Sequence, residues 1–258
     1  MTVLTPAPAA PTFARPGLGR LTGVEFRKMV DTRSGFWLLG IIGLLTLLVV
    51  GVVAWFAEPA DRDLQGLFGL AILPGTVLLP VLGILIVTAE WSQRTALTTF
   101  TLVPQRSRVA VAKLIAATAA ALACTALCLL LAVLGNLAVL GLDRGGGSWQ
   151  LGWDEVARAA LFLVLNVLTG VGFGMVLLNS PLAIVLYFVL PIVFSTVTSL
   201  FSRIRESVSW VDANAQLEAL VSGDPSAGQW WRLLTSCLIW VGLPIAAGLV
   251  RLVRSEVK

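Results

Sequence analysis

The chain has 258 residues, of which 57% are hydrophobic and 12% are charged, and its formal net charge is +4. Soluble domains contain roughly 45–50% apolar and about 25% charged residues, so this composition excludes both a soluble globular protein and a disordered chain. Histidine is absent from the sequence, which excludes imidazole catalysis, imidazole metal ligands and a histidine pH switch. The composition therefore predicts an integral membrane protein.

The start of the chain predicts two segments outside the membrane interior. Residues 1–17 contain four prolines among alanine and threonine, a composition typical of a flexible tail. Residues 18–35 mix polar and apolar side chains. We expect them to form a connecting segment that lies along the membrane surface.

Six apolar runs follow, each long enough to cross a hydrocarbon core of roughly 30 Å as a helix. They are residues 36–57, 67–89, 110–142, 156–178, 181–201 and 233–250. The sequence thus predicts an all-α fold with a six-helix transmembrane domain over residues 36–250. The third run exceeds what a bilayer requires, so we expect one tilted or protruding helix there.

Several apolar runs contain proline. Pro74 and Pro80 lie in the second run, Pro191 in the fifth and Pro244 in the sixth. Proline lacks a backbone N–H, and neighbouring helices in a membrane bundle can satisfy the carbonyl that it leaves free. The second, fifth and sixth helices are therefore predicted to be kinked.

Residues 202–232 form a long segment between the fifth and sixth runs. Asp224 followed by Pro225 is typical of a helix start, so we expect one short helix there and another around residues 210–220. The alternative is an ordinary extracellular loop. Residues 251–258 are predicted to form a short cytoplasmic tail.

The distribution of charge predicts the orientation. If both termini are cytoplasmic, two thirds of the basic residues lie on the cytoplasmic side, while most acidic residues lie outside. All tryptophans except Trp240 fall near a predicted membrane boundary. Binding to anionic lipid explains the net positive charge, so nucleic acid is not an expected partner.

Arginine far outnumbers lysine, as in bacteria with GC-rich genomes. We therefore expect the chain to lie in the bacterial cytoplasmic (inner) membrane.

The apolar runs offer little chemistry of their own. Charged residues are missing from their central parts, which disfavours an ion-coupled secondary transporter. They contain neither an acid–base pair, a nucleophile–base pair nor a metal-ligand cluster, so an enzyme and a bound metal or cofactor are not expected. The three lysines follow Arg27, Ala112 and Val257, so the sequence lacks the Gly-Lys of a P-loop. Any ATP-driven step must therefore use another polypeptide.

The loop between the second and third runs is a candidate functional segment. Glu90 and Arg94 have the i,i+4 spacing of a helical ion pair, and apolar residues recur every three positions over 97–103. One interpretation is a basic loop that lies on lipid headgroups. The other is a docking surface for a cytoplasmic partner, and the residues alone leave both open.

Polar side chains within the runs are the other candidates. They either line a substrate path or hydrogen-bond within and between helices. These residues are Asn166, Tyr187, Ser195, Thr196, Thr198 and Ser199. The spacing Gly170-x-x-x-Gly174 is more typical of close helix packing than of a binding site.

The order and spacing of several residues resemble the membrane subunit of ABC type-2 transporters. Around the second and third runs these residues are Glu90, Thr95, Pro104, Arg108 and Lys113. Before the first run they are Glu25, Lys28 and Arg33. The number of runs, the termini and the long segment before the last run are also similar.

This resemblance implies a permease subunit of an exporter that pairs with a second permease copy or homologue. Two separate cytoplasmic ATPase subunits would bind ATP and Mg²⁺. Coupling to them would use residues 90–113, including Arg94, and the turn at Asn179 and Ser180. In that turn we expect Ser180 to cap the fifth helix.

The expected function is therefore a translocation path for an amphipathic or hydrophobic substrate, powered by a partner ATPase. Two alternatives stay open. One is a membrane anchor or assembly subunit that transports nothing. The other is an ion-coupled secondary transporter, which the scarcity of charge in the runs disfavours.

Overall fold

The computed structural model describes residues 17–93, 105–200, 210–212, 217, 220, 223 and 226–254. These residues are helical with connecting turns and contain no strand, which confirms the all-helical prediction. Six helical stretches among them are long and apolar enough to cross a membrane. They are Arg33–Phe56, Leu64–Ser92, Arg106–Gly141, Trp153–Leu177, Ser180–Thr198 and Ala227–Leu252. Nearly all of the predicted flexible tail, most of residues 202–232 and the last four residues lie outside the described part.

The connecting segment and the first span are two helices separated by one residue. Helix α1 is Leu18–Asp31 and helix α2 is Arg33–Phe56. The side chain of Thr32, between them, accepts a hydrogen bond from the Gly35 amide at 3.2 Å. This N-cap starts α2 before the apolar run begins at residue 36, because capping rather than hydropathy sets the helix end.

The second span consists of two consecutive helices. A 3₁₀ turn, Pro59–Asp61, leads to α3, Leu64–Ala71, and α4 follows as Leu73–Ser92. Pro74 lies in the first turn of α4, where its missing N–H is least costly. Helix α4 continues through Pro80, so the kink predicted there remains a prediction.

The third, fourth and fifth spans are continuous helices. They are α5, Arg106–Gly141, α6, Trp153–Leu177, and α7, Ser180–Leu200. The 36 residues of α5 form one helix, as the long third run predicted. Helix α7 continues through Pro191, whose predicted kink likewise remains a prediction.

The sixth span contains an irregular turn. Helix α8, Ala227–Cys237, runs into a π-helical turn, Leu238–Gly242, and α9 follows as Leu243–Arg254. Pro244 is the second residue of α9. The π-turn ends two residues before Pro244, and the kink predicted at this proline remains a prediction.

Helices α4 and α6 pack closely at the centre of the bundle. A Cβ atom added at Gly170 would overlap the backbone of Pro80, and one at Gly174 would lie 3.0 Å from the Ile84 carbonyl oxygen. Only glycine allows this approach, so the Gly170-x-x-x-Gly174 pattern is a packing face, as its spacing indicated.

The remaining helices surround this pair. Helices α1, α2 and α3 pack on α5, α9 packs on α6, and α7 contacts α4 and α6. Helices α2 and α7 leave apolar side chains uncovered, including Leu44 and Ile192, which are 63% and 59% exposed. In a membrane these side chains contact lipid.

Candidate functional site

Four charged side chains from three helices meet at one end of the bundle. We call Glu25 and Lys28 of α1, Glu90 of α4 and Lys113 of α5 the charge cluster. The Lys28 ammonium donates to Glu25 Oε1 and to Glu90 Oε1, each at 2.8 Å. The Lys113 ammonium donates to Glu25 Oε2 at 2.6 Å and lies 3.1 Å from Glu90 Oε1. Each lysine thus contacts both carboxylates.

The charge cluster is largely shielded from solvent. The side chains of Lys113 and Glu25 are 4% and 5% exposed, and that of Glu90 is 11% exposed, whereas Lys28 is 39% exposed. Lys113 also donates to the Ile86 carbonyl oxygen at 2.9 Å. Two carboxylates balance two ammonium groups, so the cluster is formally neutral and its burial is tolerable.

Lys28, like Glu25, lies on α1 and therefore outside the membrane-spanning helices. Burial of its ammonium by itself lowers the pKa of Lys28, but hydrogen bonds and charge attraction to Glu25 and Glu90 outweigh this effect. The pKa of Lys28 is therefore raised above its ordinary value. Lys28 stays protonated at physiological pH, as the neutral cluster requires.

The local sequence explains why these helices bring the four groups together. Glu25 and Lys28 are three residues apart and share one face of α1, the face that also buries Met29. Glu90 lies near the end of α4, and Lys113 is the eighth residue of α5. Helix α1 therefore crosses the ends of two spans, and we call this side of the molecule the α1 end.

The turn between α6 and α7 also lies at the α1 end. Asn179 Oδ1 accepts from the Leu182 amide at 3.1 Å, so Asn179 caps α7. The expectation that Ser180 forms this cap is wrong, because Ser180 is the first residue of α7 and its hydroxyl points elsewhere. It donates to Thr88 Oγ1 of α4 at 2.7 Å, which ties the start of α7 to α4.

The end of the sixth span is attached at the same side. Arg106, the first residue of α5, donates to the Leu252 carbonyl oxygen at 2.9 Å. Arg251 donates to the Val176 carbonyl oxygen near the end of α6. These two arginines donate to carbonyls in the last turns of α9 and α6, where intrahelical donors run out.

The other predicted coupling residues are not members of the charge cluster. Some of them lie outside the described residues. Arg33 is exposed at the start of α2, and Arg108 is half-buried in the first turn of α5. Arg94, Thr95 and Pro104 lie outside the described residues, as does the apolar repeat at 97–103.

A cavity of about 240 Å³ lies between α4, α6, α7 and the sixth span. Its polar lining comes from Thr76, Asn166, Thr169, Tyr187 and Ser236, and the other described lining residues are apolar. They include the aromatic rings of Phe188 and Trp240. Charged side chains do not appear in this lining, so the cavity suits a molecule without net charge.

Two predicted path residues form a hydrogen-bonded pair in this cavity. Tyr187 Oη donates to Asn166 Oδ1 at 2.9 Å, and Asn166 Nδ2 donates to the Phe162 carbonyl oxygen at 2.8 Å. Ser236 is 3% exposed and lines the same cavity from α8. The pair and Ser236 provide neutral donors and acceptors from three helices, α6, α7 and α8.

Three further predicted path residues, Ser195, Thr196 and Thr198, are absent from the described lining of the cavity. Ser195 donates to Asp212 Oδ2 at 3.0 Å, and Thr196 donates to the Ile192 carbonyl oxygen of its own helix at 2.8 Å. Thr198 donates to the Ser195 carbonyl oxygen at 2.9 Å. The side chain of Ser199 is not described.

Several residues at these sites were not singled out by the sequence. Thr76, Thr88 and Ser236 lie in apolar runs, like the predicted path residues. Composition alone does not show which polar residues of a run face a cavity. Arg106 begins α5 and carries no such local signal, whereas Arg251 lies in the last turn of α9, where a basic residue signals a bond to free carbonyls. That signal was present but does not identify the acceptor.

Comparisons with known proteins do not assign the chain to a family. No family model matches it, and a search of the curated proteins gives no match. Among the described residues, no group of cysteine, aspartate and glutamate side chains could hold a metal ion. The functional assignment therefore depends on the geometry of the charge cluster and the cavity, together with the sequence resemblance.

Proposed function

We propose that this chain is the permease subunit of an ABC type-2 exporter in the bacterial cytoplasmic membrane, with both termini in the cytoplasm. A second permease copy or homologue and two cytoplasmic ATPase subunits would complete the transporter, and the ATPase subunits would bind ATP and Mg²⁺. The observation that carries the proposal is the charge cluster. It joins Glu25 and Lys28, from one part of the resemblance, to Glu90 and Lys113, from the other.

The cluster supports a coupling role because of what it connects. The loop between α4 and α5 leaves α4 just after Glu90 and enters α5 shortly before Lys113. A partner that moves this loop would act on both helices and, through Glu25 and Lys28, on α1. The Ser180–Thr88 hydrogen bond adds the start of α7 to the same unit. Buried ion pairs resist separation, so the α1 end would move as one body.

Rigid helices connect the α1 end to the cavity. Helix α4 carries Glu90 near its end and Thr76 in its first turn, roughly 20 Å apart at the rise of an α-helix. Helix α7 carries Ser180 at its start and Tyr187 two turns later. Movement of α4 against α7 would change the shape of the cavity, so ATPase closure would shift the population of its open and closed forms.

The lining of the cavity supports an uncharged amphipathic or hydrophobic substrate. Asn166, Tyr187 and Ser236 offer hydrogen bonds, while the remaining surface is mainly apolar and aromatic. An uncharged amphipathic or hydrophobic molecule satisfies both parts of this lining. A charged molecule would lose hydration without gaining an ionic partner among the described lining residues.

The test is purification of the tagged chain from its own bacterial membranes in mild detergent, followed by reconstitution into vesicles. We expect a P-loop ATPase to copurify, and ATP to drive accumulation of N-phenyl-1-naphthylamine, an uncharged fluorescent amphiphile. A non-hydrolysable ATP analogue is the control and should support no accumulation.

Two outcomes would favour the other functions. If no ATPase copurifies with the chain and the probe does not accumulate in the vesicles, the chain is an anchor or assembly subunit. Accumulation that follows a proton or sodium gradient and ignores ATP would favour an ion-coupled transporter.

A further inference from the structure

A second cavity, of about 180 Å³, lies beneath α1. It is bounded by Phe26, Met29 and Val30 of α1, by Leu39 and Ile42 of α2, and by small residues of α5 that include Ala123. Its described lining contains no charged side chain and almost no polar surface. We call it the α1 groove. A lining of this kind accepts a hydrocarbon chain and rejects a charged or strongly hydrated ligand.

In a membrane, we expect the α1 groove to lie at the depth where lipid headgroups meet acyl chains. Glu25 and Lys28 fix α1 across the ends of α4 and α5, and α2 enters the membrane directly after it. Helix α1 also exposes apolar side chains beside basic ones: Val24 is 47% exposed, and Arg27 is exposed. Such a helix is typical of the membrane interface.

The charge around the α1 groove identifies the headgroup. Glu25 and Lys28 are neutralised inside the charge cluster, so they contribute no net field at the surface. Arg27 follows the groove residue Phe26, and Arg33 begins α2 three residues after Val30; both arginines are exposed. Asp31 is the exposed acid of this stretch, so the surplus is positive. A negatively charged phosphate matches that surplus.

We propose that the α1 groove binds one acyl chain of an anionic phospholipid from the bilayer, and that Arg27 and Arg33 hold its phosphate. The bound lipid fills the space between α1, α2 and α5. It thereby supports α1 beside the charge cluster, next to the buried Met29. This site is independent of the cavity proposed for substrate and does not depend on the chain being a permease.

Native mass spectrometry of the purified chain, mixed with phosphatidylglycerol or with phosphatidylcholine, tests the proposal. We expect the unmodified chain to retain phosphatidylglycerol at collision energies that remove phosphatidylcholine. Ala123→Phe fills the groove and should lose the retained lipid. Ala126→Phe is the matched control, because Ala126 is exposed on the same helix but does not line the groove.

A second variant tests the headgroup without altering the groove. Arg27→Gln combined with Arg33→Gln changes exposed side chains only, so the fold should persist, and retention of the two lipids should become equal. Equal retention by the unmodified chain would overturn the proposal. Unchanged retention in Ala123→Phe, or equal loss in Ala126→Phe, would also overturn it, because the lipid would then lie elsewhere on the surface.

Discussion

The ammonium of Lys113 lies 2.6 Å from a carboxylate oxygen of Glu25, although 88 residues separate them in the chain. Both side chains are almost fully buried, at 4% and 5% exposure. This pair attaches the surface helix α1 to the long helix α5. Burial prevents water from solvating either charge. Removing one partner therefore leaves the other as a buried charge with incomplete compensation.

Replacing Lys113 by methionine should strongly destabilise the protein. The change leaves Glu25 and Glu90 with Lys28 as the remaining ammonium of the charge cluster, and breaking a buried pair in this way typically costs about 3–5 kcal/mol. Denaturant unfolding in mild detergent measures the free energy of unfolding. Lys28→Met is the matched control and should cost less, because the Lys28 side chain is 39% exposed and water can replace part of its role.

A double variant separates pairing from packing. Lys113→Met combined with Glu25→Gln removes one charge of each sign and should lose less stability than the two single changes added together. Strict additivity would contradict a direct interaction between the two groups.

Charge reversal at Arg108 should uncouple ATP hydrolysis from transport while the protein still inserts. Arg108 lies in the first turn of α5, beside the loop proposed to contact the ATPase. A glutamate there would repel a complementary acidic surface and weaken docking. Transport and ATP hydrolysis are measured in the same vesicles. Glu58→Arg, an exposed reversal at the opposite end of α2, is the control, and equal transport in both variants would count against docking at Arg108.

Filling the substrate cavity should reduce transport without weakening association with the ATPase. Ser236→Phe places a ring in the cavity that the Asn166–Tyr187 pair also lines. We expect ATP-driven accumulation of N-phenyl-1-naphthylamine to fall, whereas the amount of copurified ATPase stays the same. Val193→Phe is a control of the same size on the exposed side of α7. Transport lost equally in both variants would argue against this cavity as the path.

Substituting alanine for Gly170 should destabilise the centre of the bundle. The added Cβ would overlap backbone atoms of Pro80, and overpacking of this kind costs about 1–3 kcal/mol. Gly51→Ala in α2 is the control, because a Cβ there meets no atom within 4 Å. It should leave stability unchanged or raise it, since alanine favours a helix over glycine. Thermal unfolding in detergent compares the two, and similar midpoints would refute the close contact.

The sequence predicted the spans well because their signal is local. Hydrophobic length alone identifies six helices, and the continuous third run becomes the single helix α5. Helix ends were less accurate, because caps such as Thr32 and Asn179 depend on individual side chains rather than on average hydropathy.

The candidate sites depend on contacts that no local pattern contains. The sequence identified Glu25, Lys28, Glu90 and Lys113 in two separate segments, but only packing of α1 across α4 and α5 shows that they touch. Among the polar residues of the spans, the direction in which each side chain points decides its role. Ser195, for example, donates to Asp212 instead of facing the cavity.

The π-helical turn at Leu238–Gly242 separates two tasks within the sixth span. A wider turn holds an extra residue, and one residue corresponds to about 100° of rotation around a helix axis. Helix α8 therefore turns Ser236 towards the cavity, while α9 turns Gly248 towards Met175 of α6, where a Cβ would collide. The extra residue in the π-turn therefore sets the rotation between the side of α8 that lines the cavity and the side of α9 that packs on α6. Substitutions on α8 would change the wall of the cavity without altering the contact between α9 and α6. Deleting one residue from the turn would rotate α8 against α9 and disturb both.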